Sequence, residues 1–363
     1  MLPVESTAHT LRSPCDDNNR VRIALDATYS LGRNLSGVGV YSREVMFGLA
    51  RAHPQQRFRF YYRPHRLFKS FSDKLPSNSS RRLLVGAPHA DLFHALNQRV
   101  DAPARRTVST FHDLFVMSGD YSSPDFRARF TEQARQAAEH SDAIIAVSQF
   151  TASQIEQHLG VEPSRIHVVP HGVHMPPAPG SASRDNLVLF VGVIQRRKNV
   201  ARLVKAFERL PAGWRLALAG ASQGYGAAEE LRAVEESSRR QDIDVLGHLS
   251  AEQLAALYAR ARIFAFPSLD EGFGMPVLEA MAHGLPVISS KSSAMPEVAG
   301  DAALLVDPLD VDELAYALSR LATDPALRED LIARGRSRAL RFTWDSAVAQ
   351  TWAVYEKVMT ASL

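Results

Sequence analysis

Arg262–Ser290 reads RIFAFPSLDEGFGMPVLEAMAHGLPVISS. Its order is strand, glycine loop, helix, strand. Ile263–Phe266 are apolar and β-leaning, and Pro267 stops the run. Ser268–Pro276 is a loop that carries Gly272 and Gly274. A short helix, Val277–His283, ends at Gly284, and Val287 and Ile288 open another strand. Glu271 lies just past the strand end, and Glu279 lies in the first turn of the predicted helix. Open parallel sheets bind ligands outside the carboxyl ends of their strands. Both carboxylates are therefore expected to face a cleft, beside freed backbone N–H groups and a helix N-terminus.

The same alternation runs outward in both directions. Upstream, strands are predicted at Val21–Asp26, Arg57–Tyr62, Leu92–His94, Thr107–Phe111, Ala143–Val147 and Ile166–Val169. Helices are predicted from about Tyr41 to Ala52, at Pro124–His140 and from Ser148 to Leu159. A glycine loop with Gly32, Gly37 and Gly39 separates the first strand from its helix. Met175–Ser183 (MPPAPGSAS) is a linker by composition. The pattern then restarts with strands at Leu187–Val191, Trp214–Leu218 and Val245–Leu246 and helices at Val200–Leu210, Ala227–Ser238 and Ala251–Ala261. Strands that alternate with helices imply parallel βαβ units. The expected organisation is a tail at 1–20, a first domain at 21–174, a linker at 175–185, a second domain at 186–341 and a closing helix at 342–363.

Composition narrows the function classes. The chain has 363 residues, 45% hydrophobic and 22% charged, which suits two soluble-type domains. A net charge of +3 is too small to argue for nucleic acid. One cysteine, Cys15, allows no internal disulfide, and a cytoplasmic location is the reading that follows. No apolar run is long enough to span a bilayer. A P-loop is excluded because no Gly-Lys-Ser/Thr occurs. The histidines show no metal-ligand spacing, so no metal is expected.

Other strand ends carry the remaining chemistry. Gln195–Asn199 (QRRKN) follows the strand ending at Val191 and precedes a helix. Arg197 and Lys198 there form an anion site or, more plainly, a solvated basic turn. The glycine loop Gly272-Phe273-Gly274 at another strand end favours a diphosphate site. Carboxylates beside such a loop suit sugar hydroxyls. Gly37-Val38-Gly39 resembles a dinucleotide fingerprint only in part, since Ser42 replaces the third glycine, and nicotinamide binding is discounted. His112 ends the strand Thr107–Phe111 and either faces a reacting group or is satisfied by local backbone. Arg57–Phe71 (RFRFYYRPHRLFKSF) interleaves cations and aromatics. An ordinary strand and solvated loop is the preferred reading, an anionic membrane surface the next, and nucleic-acid stacking the last.

These residues resemble a known family. Glu271 and Glu279, with seven residues between them, resemble the E-x7-E signature of retaining glycosyltransferases of the GT-B fold, family-4 type. IALDATYSLGRNLSGVGVYSREV, STFHDL, AIIAVSQFTASQI, VVPHGV and LFVGVIQRRKNV are similar to the family's other motifs, so the resemblance covers nearly all of the chain after Val21. It implies an α/β, GT-B architecture: two doubly wound Rossmann-like domains facing across a cleft, with a C-terminal helix, here Phe342–Val358, crossing back to the first. It implies a nucleotide-diphosphate sugar as co-substrate, no metal, and a glycan or lipid-linked glycan as acceptor. By the same resemblance Arg197 and Lys198 bind the diphosphate. Glu271 with Gly272, Phe273 and Gly274 holds the donor sugar, and Glu279 the ribose. Gly37 and Gly39 approach phosphate and acceptor, and His112 stands near the anomeric centre.

Two positions depart from the pattern: Gln195-Arg196 stands where many relatives have Glu-Pro, and His171 where many have Asn. The motif style leans toward mannose from GDP-mannose in polysaccharide biosynthesis. Two alternatives stay open at this point: a phosphorylase on the same fold, and a non-catalytic binding subunit.

Overall fold

The computed structural model describes residues 21–32, 35–177 and 184–361. The expected tail at 1–20 and the part of the expected linker at 178–183 lie outside the described residues.

Two separate parallel sheets form. The first holds β1 (Arg22–Asp26), β2 (Arg57–Tyr62), β3 (Ser79–Leu83), β4 (Leu92–Ala95), β5 (Thr107–Phe111), β6 (Ala143–Ala146) and β7 (Ile166–Val168). Their order is β3-β2-β1-β4-β5-β6-β7. The second holds β8 (Leu187–Val191), β9 (Arg215–Ala219), β10 (Ile243–Gly247), β11 (Ile263–Phe266), β12 (Val287–Ser290) and β13 (Ala303–Val306). Their order is β10-β9-β8-β11-β12-β13. Each sheet reverses its winding once, between β1 and β4 and between β8 and β11. A doubly wound sheet opens its ligand crevice at that reversal. The expectation of two doubly wound halves holds.

The strands read clearly where they are buried on both faces. All four residues of β11 are buried, and Phe190, Phe264 and Phe266 stack through the centre of the second core. Such strands appear as near-continuous apolar runs. The closing helix, Trp344–Thr360, leaves the second domain and packs on the first. Trp344, Val348 and Tyr355 join the core of Ile23, Leu25 and Phe60. Gly48, on helix Gly37–Ala52, makes room for it, because a Cβ there would lie 2.5 Å from Val348 Cγ2.

Three local expectations change. The first helix begins at Gly37, not near Tyr41, because Ser36 caps it and accepts from the Gly39 N–H at 3.3 Å. Gly37 and Gly39 thus lie in the first helical turn rather than in a loop. The helix after β11 begins at Met275, with Pro276 in its first turn, where a missing N–H costs nothing. Glu279 is therefore the fifth residue of that helix and lies beyond its first turn. β3 was absent from the sequence reading. Its residues, SSRRL, are polar, yet they pair in parallel register with Phe58–Tyr62 at the sheet edge. No helix among the described residues is long and apolar enough to cross a membrane.

Candidate functional site

The second domain builds its half of the site where β8 and β11 end side by side. After β8 the chain makes a tight turn at Arg196–Lys198, and Asn199 takes a left-handed conformation at φ 60°. Asn199 is buried, and its side-chain amide donates to the carbonyls of Pro267 at 3.0 Å and Pro308 at 2.6 Å. The Leu269 N–H donates to the Arg197 carbonyl at 2.7 Å. These bonds clamp the basic turn against the loop after β11. Arg197 and Lys198 are thereby placed on one carboxylate, Glu271. Arg197 Nη1 lies 2.9 Å from Glu271 Oε1, and Lys198 Nζ bonds the same oxygen. The Ser268 hydroxyl donates to it at 2.6 Å. Arg197 also donates to the Asp270 carbonyl at 2.8 Å.

All three charges are buried: Arg197, Lys198 and Glu271 are 9%, 6% and 7% exposed. Burial works against the Glu271 charge. The Arg197 and Lys198 cations and the Ser268 hydroxyl overcome it and hold the carboxyl down at about 2. Burial lowers the Lys198 ammonium to about 8 despite Glu271. Two cations share one carboxylate in a dry site, with the Asp113 and Asp270 carboxyls beside Arg197. Burial also pushes Asp113 up to about 6, and raises Asp270, whose Oδ2 accepts from the Ser118 hydroxyl at 2.5 Å.

The first domain supplies the facing wall. Gly272 presses on it so closely that a Cβ would lie 1.8 Å from the His112 carbonyl oxygen. The Gly272 carbonyl accepts from the hydroxyls of Ser148 at 2.6 Å and Thr151 at 3.0 Å. Glu297, in the second domain, accepts from the N–H groups of Gln149 at 2.9 Å and Phe150 at 3.2 Å. It thus completes the N-terminus of helix Gln149–Leu159, where a carboxylate meets unsatisfied donors. Arg197 also lies over the Phe115 ring, 4.4 Å from its centroid. His112 is buried, and its Nε2 donates to the Leu96 carbonyl at 2.9 Å. Burial holds its imidazole at about 4, so it is neutral. The plainer reading, a histidine satisfied by backbone, describes its hydrogen bond. Its other ring edge faces His171, 3.4 Å away, within an aromatic cluster of Tyr41, Phe273 and Trp344.

The remaining sequence-stated residues gather less tightly. Glu279 accepts from the Tyr258 hydroxyl at 3.0 Å, and burial raises its carboxyl. Gly274 has φ 92°, and a Cβ there would meet Met295 Cε at 2.3 Å. Phe273 is buried against His171. Gly37 is exposed, and its Cα faces Met275 of the other domain. Gly39 is buried, with its N–H committed to Ser36. Ser148, Thr151, Asp113, Ser118, Asp270, Glu297 and Tyr258 also take part. Only Asp113 and Asp270, adjacent to His112 and Glu271, carried a signal in sequence.

Three patterns passed over in sequence have structural explanations. Gly220–Gly224 (GASQG) has the spacing of a hydrolase elbow, but no helix begins until Ala227, and Gly224 packs on the Ile194 carbonyl. Asp242 and Asp244 are paired with Arg239 and Arg215. Asp310 caps the helix Val311–Thr323, and Asp312 pairs with Arg209.

Two parallel-sheet domains that meet over a buried charged cluster at the switch point have the α/β, GT-B architecture. Residues 27–175 match Glycosyltransferase Family 4, and residues 175–338 match Glycosyl transferases group 1. The chain is 33% identical to the D-inositol 3-phosphate glycosyltransferase of Xylanimonas cellulosilytica, over 71% of this chain and 67% of that protein. It is 28% identical to the O-antigen chain mannosyltransferase B of Escherichia coli, over 91% of this chain and 98% of that protein. Sucrose-phosphate synthase from Thermosynechococcus elongatus has the same fold, with a TM-score of 0.76 at 22% identity, over 94% of this chain and 100% of that one. The chain belongs to this glycosyltransferase family and is an enzyme of that kind.

Proposed function

We propose that the protein transfers a hexose, with retained anomeric configuration, from a nucleotide-diphosphate sugar to a hydroxyl of a glycan or lipid-linked glycan. The observation that carries this reading is the buried Arg197–Lys198–Glu271 cluster at the β8/β11 switch point. The leaving diphosphate gains negative charge as the glycosidic bond breaks. Arg197 and Lys198, fixed and desolvated, are suited to stabilise it without reorganising. Glu271, with the Gly272-Phe273-Gly274 loop, holds the donor sugar through its hydroxyls, and Glu279 holds the ribose. Gly37, at a helix N-terminus, approaches the phosphate, with Gly39 fixing the turn. His112, neutral, lines the anomeric side. Glu271, engaged by both cations, is not assigned as a nucleophile.

With two cations at the leaving group, no metal is required, and activity is expected to survive chelation. The donor is read as GDP-mannose and the setting as bacterial polysaccharide assembly. The E. coli relative is named for mannosyl transfer to O-antigen, and the motif style agrees. The protein works in the cytoplasm, with peripheral contact to an anionic membrane. Within the segment proposed for that contact, Phe58, Phe60, Tyr61 and Tyr62 are buried and Arg63 pairs with Asp26 and Asp101. The surface it leaves is Phe68, 84% exposed, and Phe71, 65% exposed, beside exposed Lys69.

The test is a thermal-shift screen against UDP, GDP, ADP and their sugars, followed by donor turnover. GDP and GDP-mannose are expected to raise apparent stability most, by mass action. Lys198→Ala and Glu271→Ala are expected to abolish turnover. Donor hydrolysis unchanged in both variants would count decisively against the reading.

A further inference from the structure

Parallel sheets are normally covered on both faces. In the first domain, helices Gly37–Ala52 and Trp344–Thr360 cover one face, over Ile23, Leu25, Phe58 and Phe60. Helices Pro124–His140 and Gln149–Leu159 pack on the other, over Phe93, Phe111, Ile144 and Ala146. The connection from β3 to β4, residues 84–91, contains no helix. Among the described residues, the amino-terminal part of β1–β3 is therefore bare on that second face.

The register shows what stands there. Arg22 is opposite Arg57, Arg59 is opposite Ser80, and Arg82 is opposite Tyr61. Because side chains alternate, Phe58 and Phe60 point to the core while Arg57 and Arg59 point away from it. Arg22, Arg57, Arg59 and Arg82, with Asn78 and Ser80, line a cavity of about 750 Å³. Asp91 is the one carboxylate in its wall among the described residues, and Arg22 holds it with bonds of 2.8 and 3.1 Å. Arg57 and Arg82 have no carboxylate partner among the described residues. Like charges set across neighbouring strands cost stability. Guanidinium forks match phosphate oxygens, and Ser80 adds a neutral donor, while the Asn78 amide is committed to the Ala50 and His53 carbonyls. Arg22, Arg57 and Ser79 begin their strands, so the cavity opens at the edge opposite the carboxyl ends that carry the donor site.

We propose that this bare face is a second anion site, which binds a phosphate monoester or diester on a molecule other than the sugar donor. Two sources share that chemistry: an anionic lipid headgroup and a soluble phosphorylated saccharide. The proposal does not depend on the identity of the donor.

The full-length protein is titrated with phosphatidylcholine vesicles, with and without phosphatidylglycerol, and separately with a soluble hexose phosphate. Binding in either arm, weakened by salt, is expected. It should fall roughly tenfold or more in Arg57→Ser/Arg82→Ser, since one charge-assisted contact alone is worth about a factor of ten. Arg57→Lys/Arg82→Lys, which keeps the charge but not the fork, should fall less. Sugar transfer to a small soluble acceptor should be unchanged in both variants, so this idea and the transferase reading fail separately. The arm that binds identifies the source. No binding in either arm, or equal affinity in the wild type and the serine variant, overturns the proposal.

Discussion

Glu271→Gln removes one negative charge and keeps the side chain's shape. In the native site that charge faces Arg197 and Lys198. The folded carboxyl is held at about 2, against an ordinary 4.5. The ionised form therefore gains about 3 kcal/mol on folding. Because the folded value is depressed, this contribution is complete above pH ~4.5 and is lost as the pH falls toward ~2. Lys198 has the opposite sign. Its ammonium, lowered from 10.5 to about 8, carries a penalty of roughly 3 kcal/mol at neutral pH. In the native protein the two nearly cancel. In the variant only the penalty is left, a loss of about 3 kcal/mol, within the range for breaking a buried pair. For domains of this size that lowers Tm by roughly 6–12 °C. Glu271 is also what raises the Lys198 ammonium, so in the variant Lys198 sheds its proton below about pH 8 and the gap narrows as the pH rises. A nucleoside diphosphate replaces the missing charge, so it should raise Tm more in the variant than in the wild type. Differential scanning fluorimetry at neutral and alkaline pH, with and without GDP, reads all three effects. Equal melting at pH 7 together with an unchanged GDP shift would refute the reasoning.

Other substitutions probe the facing wall and the ribose side. Gly272→Ala should cost roughly 100-fold in transfer, because a misplacement of about 1 Å is that expensive in a preorganised site; a variant of near-native activity would mean the interdomain contact at His112 is not needed. Tyr258→Phe removes the hydrogen bond to Glu279 and should raise donor KM about five-fold with kcat unchanged; steady-state kinetics decides. His94, His112 and His171 are buried and held neutral, the first two at about 3 and about 4. For a base with a lowered folded value, stability is full above pH ~6.5 and is lost on acidification. Denaturant melts at pH 5.5 should therefore lie roughly 3 kcal/mol below those at pH 7, about 1 kcal/mol per histidine; equal stability would refute the assignment.

The legible parts of the chain are those with local causes. β11 could be read because four apolar residues meet Pro267, and helix Pro124–His140 because Ser123 caps it with proline following. β3 was illegible because its strand character comes from pairing with β2, not from SSRRL itself. Gly37 and Gly39 suggested a loop, since the Ser36 cap that recruits them into a helix is one weak residue. In the site, Glu271 and Lys198 were each legible at a strand end. Their joining rests on Asn199 reaching Pro267 and Pro308, 68 and 109 residues away. Glu297 had no local signal, because its partners are N–H groups of the other domain.

The Glu297 contact has a consequence for how the donor arrives. It is one of several bonds that hold the two domains together around Glu271, so in this structure they are shut over the place the sugar must enter. Capture of a donor then requires the domains to part. A bias of about 1.4 kcal/mol toward the shut form leaves about one molecule in ten receptive and weakens apparent donor affinity about tenfold, with no donor contact altered. Weakening Glu297 would thus tighten apparent donor binding while leaving the captured donor more open to water, so affinity and fidelity would move in opposite directions.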